Sequence, residues 1–254
     1  MVNTPLEPAA RAVHAAARSL FFTAKCYQLA RQQLAGKCGL EVGGPSFLFD
    51  TTLPVYRHIQ ALDNCVFAEV THWEGARAAG QTFRFDSGKR TGNNFVTEGV
   101  RLEGIGDDRY DFVLASHCLE HIANPIKALH NWKRVLRPGG GLLLVLPDVH
   151  RSFEYRRPLT TLCHLVEDYA RDVGEQDMTH VREFLEMRDY RKFPVPDLTQ
   201  YQELCWDNYR HRLVHHHTFD LPSALRMVNH SARLKVLSAE RLRPNHLIVF
   251  SQKQ

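Results

Sequence analysis

Tyr110-Asp111-Phe112-Val113-Leu114-Ala115-Ser116-His117-Cys118-Leu119-Glu120-His121-Ile122 is the stretch that decides the fold. Residues 110–116 are an apolar run broken by one acid, and their composition predicts a buried strand. Residues 124–136 place Ile126, Leu129, Trp132, Val135 and Leu136 on one helical face. Pro138-Gly139-Gly140 reads as a turn. Gly141-Leu142-Leu143-Leu144-Val145-Leu146-Pro147 reads as another strand, apolar on both faces. Strand, helix and strand in that order predict a mostly parallel sheet covered on both sides by helices.

Upstream, residues 8–35 carry Ala, Leu and Phe at helical spacing, with Arg11, Arg18 and Arg31 among them. Gly36 and Gly39 end that helix. Gly39-Leu40-Glu41-Val42 is the first expected strand, broken by Gly43-Gly44-Pro45. A short helix is expected over 54–62, a second strand over 65–70 and a third over 94–97. Downstream, residues 149–213 turn rich in Arg, His, Asp, Glu and Tyr. Helices are expected there at 159–173 and 177–188. A helix over 221–230 and strands at 234–238 and 246–251, around Pro244-Asn245, close the chain. The segment 149–213 is too poor in apolar runs for a core of its own, so it reads as an insertion.

Three features upstream carry chemistry. In Leu40-Glu41-Val42-Gly43-Gly44-Pro45-Ser46 a strand ends in adjacent glycines, which lets a ligand approach the backbone. Glu69 follows by about the spacing at which an acid accepts hydrogen bonds from ribose hydroxyls, with Glu74 as its rival. Glu98-Gly99 follows the third strand, where an acid faces an adenine amino group and a glycine leaves room for the ring.

Together with residues 111–121 and the Leu136-Arg137-Pro138-Gly139-Gly140-Gly141-Leu142 turn, these features resemble the class I S-adenosylmethionine-dependent methyltransferases. The resemblance covers about residues 37–148, and the closing strands more weakly. It implies a doubly wound, Rossmann-like α/β fold: a seven-stranded sheet with helices on both faces, the last strand antiparallel, and a helical insertion after the fifth strand. It implies one domain over 1–254, made of an N-terminal helix (1–36), a cofactor-binding core (37–148), the insertion (149–213) and a closing segment (214–254). S-adenosyl-L-methionine is the implied cofactor. Glu41, Gly43, Gly44 and Ser46 would line its methionine end, Glu69 its ribose, and Glu98 and Gly99 its adenine. Ser116 and His117 would face the sulfonium. One departure stands out: Pro45 in the turn removes a backbone donor. A Gly-Gly-Pro-Ser turn is similar to that of a branch associated with glycan or secondary-metabolite pathways.

Parallel sheets bind ligands beyond the carboxyl ends of their strands, which puts the acceptor above 116–121 and 147–150. A base that takes a hydroxyl proton assists methyl transfer to oxygen. His117, His150 and His121 are the candidates. Asp148, Arg157 and His217 are candidate acceptor contacts. His215-His216-His217 has two histidines that share a strand face, but a metal site needs a third ligand, and no metal is expected.

The composition sets the remaining bounds. The 254 residues carry a net charge of +4, with the basic residues scattered rather than blocked, which disfavours a nucleic-acid surface. No apolar run reaches membrane length. The six cysteines are widely spaced and form no CxxC pair, as expected of reduced thiols in a cytoplasmic protein. The expected function is methyl transfer to a small-molecule or glycan-linked acceptor, at oxygen. The alternatives are a non-catalytic scaffold of the same fold, a nucleic-acid methyltransferase, and a dinucleotide-dependent dehydrogenase.

Overall fold

A computed structural model describes residues 24–72, 75–231 and 233–254. The expected N-terminal helix is present as α1 (Lys25–Leu34), with Cys26, Tyr27, Ala30 and Leu34 on its buried face. Residues 8–23 of that expectation, Arg11 and Arg18 included, lie outside the described residues. Strand β1 (Cys38–Val42) leads into the glycine turn. A π-helical turn over Leu48–Thr52 and a 3-10 turn over Val55–Arg57 replace the helix expected at 54–62. Strand β2 (Ala61–Val66) begins and ends four residues earlier than expected. Its Leu62, Asn64 and Cys65 pair with β1, so tertiary pairing overrode the apolar run at 65–70.

A small ribbon, β3 (Val70–Thr71) and β4 (Gly75–Ala76), precedes β5 (Gly80–Phe83) and β6 (Gly92–Val96). Then come β7 (Tyr110–Ser116), α2 (Pro125–Val135) and β8 (Leu136–Pro147). Asn124 caps α2 by accepting from the Lys127 N–H at 3.0 Å, and Pro125 opens the helix. The Pro138-Gly139-Gly140 turn lies inside β8 as an irregularity of register, because Tyr110 pairs with Leu136 and Phe112 with Gly141. The insertion holds α3 (Leu162–Ala170), α4 (Val181–Met187), α5 (Leu198–Trp206) and α6 (Asn208–His211), the last two unforeseen. Helix α7 (Leu221–Ser231) and strands β9 (Lys235–Leu242) and β10 (His246–Gln252) close the fold.

Among the described residues the main sheet has eight strands rather than seven, in the order β5-β6-β2-β1-β7-β8-β10-β9. The addition is β5, a short antiparallel edge strand buried only at Phe83, which carries no alternation to reveal it. Strands β6, β2, β1, β7 and β8 are mutually parallel, and β10 runs antiparallel to both of its neighbours.

Alternation along the strands divides the core. Val113, Ala115, Leu142, Leu144 and Leu146 pack with Ile126, Leu129, Trp132 and Met227 on one face. Phe112, Leu114, Leu143 and Val145 pack with Tyr27, Leu34, Phe49 and Tyr56 on the other. The insertion has a small apolar cluster of its own around Val181, Phe184, Leu185, Cys205 and Val214. Among the described residues no helix is long and apolar enough to cross a membrane.

The chain leaves β1 towards β2 on one side and later returns to β7 on the other. That reversal between β1 and β7 opens a crevice at their carboxyl ends, where doubly wound sheets hold ligands.

Candidate active site

A cavity of about 930 Å³ occupies this crevice and is roofed by the insertion. Gly43, Pro45 and Ser46 line it from the turn. Gly43 has φ +78°, and a Cβ there would stand 3.3 Å from Cys118 Sγ. The other two expected turn residues sit behind the wall. Glu41 is buried, and its carboxylate accepts from the Ser46 N–H at 3.1 Å and the Tyr56 hydroxyl at 2.6 Å. A Cβ on Gly44 would meet that carboxylate at 2.4 Å. Glu41 and Gly44 thus build the turn rather than touch its ligand.

The donors of the turn are occupied internally. Gly43 N–H bonds to Cys65 O at 2.9 Å, Gly44 N–H to Asn64 Oδ1 at 2.9 Å, and Ser46 N–H also reaches Tyr56 Oη at 2.7 Å. Pro45 has no N–H to offer. The turn therefore presents shape to a ligand, together with the Ser46 hydroxyl.

Glu69 falls on the loop after β2, exposed and off the cavity wall, because β2 ends at Val66. Glu74 lies outside the described residues. Glu98 and Gly99 do line the cavity. Glu98 is not a bare acid, since its Oε1 accepts from Arg212 Nη2 at 2.8 Å. Gly99 is packed closely enough that a Cβ would stand 2.9 Å from Val42 Cγ1.

At the end of β7, Ser116 and His117 face the cavity as expected. His117 adopts φ +49°, an uncommon conformation for a non-glycine residue. Its Nε2 lies 2.9 Å from His246 Nδ1, and its Nδ1 lies 3.5 Å from Glu120 Oε1. Glu120 is wholly buried. Burial alone would raise its carboxyl, but His117, His121 and His215 around it bring it down to about 2. His121 Nδ1 donates to Val214 O at 3.2 Å, and its ring meets that of His215 edge-on at 4.4 Å. Burial first and His215 second push the His121 imidazole down to about 3. So His121 stays neutral and is too weak a base to take a hydroxyl proton near pH 7. Glu120, His121 and His215 offer ligand atoms within 4.8 Å of one another, a set able to hold a cation at the cavity wall.

Four other expectations fall away from the cavity. His150 is exposed on the turn after β8. Asp148 is buried and caps that turn, accepting from His150 N–H at 3.3 Å and pairing with Arg241 Nε at 3.3 Å. Arg157 is buried in ion pairs to Glu154 at 2.5 Å and Glu183 at 2.7 Å, and it donates to His215 O at 2.8 Å. His217 is buried with Nε2 donating to Ala123 O at 3.0 Å. Asp148, Arg157 and His217 meet partners from distant segments, which no local pattern announces.

The chain also contributes residues that the sequence did not single out. Arg212 lines the cavity, pairs with Glu98 and Glu175 (2.5 Å), and lies over the Phe67 ring at 5.1 Å. Arg188 lies over Phe153 at 3.9 Å and Tyr201 at 5.2 Å. The run Phe193-Pro194-Val195-Pro196, with two prolines, is by its composition a non-helical segment. Pro194, Val195 and Pro196 form part of the roof.

The profile of the methyltransferase-domain family matches residues 17–208. No curated protein sequence matches the chain. Among solved structures, the S-adenosylmethionine-dependent methyltransferase of Mesorhizobium loti gives a TM-score of 0.50 at 14% identity, over 92% of this chain and 100% of that one. A Rhodobacter sphaeroides protein named as a Zn-dependent alcohol dehydrogenase gives 0.52 at 13% identity, over 93% and 89%. The Burkholderia thailandensis 1,6-didemethyltoxoflavin-N1-methyltransferase, solved with its substrate and S-adenosylhomocysteine, gives 0.46 at 13% identity, over 96% and 84%. At such identities the likeness is one of fold.

Proposed function

The chain belongs to the methyltransferase-domain family, and we propose that it transfers a methyl group to an oxygen of a small, flat, hydroxylated acceptor held beneath the helical insertion. It is an S-adenosylmethionine-dependent methyltransferase. The observation that carries the acceptor reading is the shared cavity: its floor comes from the glycine turn and β7, and its roof from Phe153, Arg188, Pro194, Val195, Tyr201 and Leu204. An apolar and aromatic roof that carries the Arg188 guanidinium suits a flat conjugated hydroxyl compound, whose faces it covers.

The cradle fits the donor. Gly43 and Gly99 keep side chains out of the floor, and Ser46, Glu98 and Ser116 supply polar atoms around it. The bound cofactor supplies an activated methyl group on sulfur. What the chain adds is position and proton transfer. In this reading Glu120, kept ionised, holds the Nδ1 proton of His117. That leaves His117 Nε2, now 2.9 Å from His246 Nδ1, to take the hydroxyl proton when the acceptor displaces that contact, and the buried carboxylate offsets the imidazolium charge that forms.

The test has two stages. Calorimetric titration with S-adenosylmethionine and S-adenosylhomocysteine reads the donor site. A mass-spectrometric screen of phenols, flat heteroaromatic alcohols, sugars and amines then reads the acceptor. Methylation of aromatic hydroxyls supports the proposal. Methylation confined to sugars or to amines, with the donor bound normally, overturns the acceptor reading.

A further inference from the structure

A second histidine cluster lies off the cavity wall, inside the insertion. His164 stands on α3, His180 immediately precedes α4, and His217 belongs to the segment leading into α7. One ligand atom from each falls within 4.8 Å of the others. Their ring centroids form a near-equilateral triangle with sides of 5.0, 5.6 and 5.7 Å. His164 Nε2 and His180 Nε2 are 3.0 Å apart. Imidazole nitrogens sharing a tetrahedral zinc-class ion sit about 2.0–2.1 Å from it, hence about 3.3 Å from each other, with rings roughly 5 Å apart.

The surrounding hydrogen bonds match that use. His217 donates its Nε2 proton to Ala123 O at 3.0 Å, which leaves the Nδ1 lone pair. That Nδ1 is buried and has no hydrogen-bond partner. A backbone carbonyl fixing one ring nitrogen while the other stays open is the usual outer-sphere arrangement of a metal-ligating histidine. Asp168, one turn along α3, brings Oδ2 to 3.3 Å from His164 Nε2, the nitrogen that faces His180, and so adjoins the cluster as an oxygen donor. The orphaned Nδ1 shows where the protein alone fails to satisfy the cluster.

We propose that His164, His180 and His217, with Asp168 as the adjoining oxygen donor, hold one divalent transition-metal ion of the zinc class that fastens the helical insertion to the sheet domain. The ligands come from three separate segments, one of which leads into the buried Phe219 and α7. Such an ion crosslinks the roof of the cavity to its walls. His164 is partly exposed, which gives the ion a path of entry.

The test uses the full chain, stripped with a chelator and dialysed, then titrated with Co(II) and, separately, with Zn(II). The expected result is uptake of one equivalent, intense visible bands of tetrahedral cobalt, and a rise in Tm with Zn(II). The double variant His164→Gln/His180→Gln, checked for native circular dichroism, should lose at least about 100-fold in affinity. Asp168→Asn should weaken binding less, and His121→Gln, in the cavity cluster, should leave the cobalt spectrum intact. The proposal is overturned by folded wild-type protein that takes up no stoichiometric metal. Uptake that survives the double histidine change, or that disappears in His121→Gln alone, also overturns it.

Discussion

His117 Nε2 lies 2.9 Å from His246 Nδ1, joining the end of β7 to the first residue of β10 at the mouth of the cavity. One ring must donate and the other accept, so the pair forms a short proton path beside Glu120. His117→Gln keeps a polar side chain of similar reach but removes the base. Turnover on the acceptor found by screening should fall by about 10²–10⁴-fold. Affinity for S-adenosylhomocysteine should stay within a few-fold. Turnover near the wild-type level would remove His117 from its role as base.

The glycine turn is built against Glu41. Replacing Gly44 with Ala puts a Cβ 2.4 Å from the Glu41 carboxylate, in a buried place with no room to yield. Overpacking of this kind costs about 1–3 kcal/mol. Displacing Glu41 also takes one of two acceptors from the Ser46 N–H and deforms the turn. Gly44→Ala should therefore lower the urea midpoint and abolish detectable donor binding by calorimetry. Unchanged binding would detach the turn from the donor site.

Arg212 is the cation that keeps Glu175 in the interior. Burial pushes the Glu175 carboxyl up, and the Arg212 guanidinium opposes that shift. Arg212→Ala leaves a buried acid unpaired, a loss of about 3–5 kcal/mol. Adding Glu175→Gln should recover part of it, because the uncompensated charge is gone. Chemical denaturation of both single variants and the double variant measures the coupling, and strictly additive effects would deny it.

Stability should fall on the acid side. His121 titrates at about 3 in the native state against an ordinary 6.5. Between those values the unfolded chain binds a proton that the native chain does not, so the stabilisation is complete above 6.5 and is lost as pH falls. From about pH 6.5 to about pH 5 this group alone accounts for about 2 kcal/mol. Glu120, at about 2 against an ordinary 4.5, adds a loss of the same sign below about pH 4.5. Urea midpoints measured across this range should drop with pH, and His121→Asn should make the drop shallower. A slope unaffected by His121→Asn would mean that the ring keeps its ordinary titration.

Much of the fold was legible because it is written in local pattern. The apolar run 110–116 is β7 to the residue, and Ile126, Leu129, Trp132 and Val135 are on the buried face of α2, while Leu136 opens β8 instead. Gly43, Ser46, Glu98, Gly99, Ser116 and His117, which the family resemblance singled out as cofactor contacts, line the cavity. Strand ends are local features, and in a parallel sheet they gather on one edge.

What failed to be legible depends on partners far along the chain. Nothing beside Arg157 predicts that Glu183 and the His215 carbonyl will occupy it, and nothing beside Asp148 predicts Arg241. The three histidines 164, 180 and 217 are ordinary polar residues in sequence and become a triangle only when the insertion folds back on the sheet. The amino-acid sequence by itself determined the parallel α/β layering and the glycine turn after β1, because the periodicity of burial is a property of neighbouring residues. Only the tertiary structure decided which charged and titratable groups face the cavity and which are neutralised behind it. That choice rests on desolvation and on pairing across long sequence separations, and both are set by the packed fold alone.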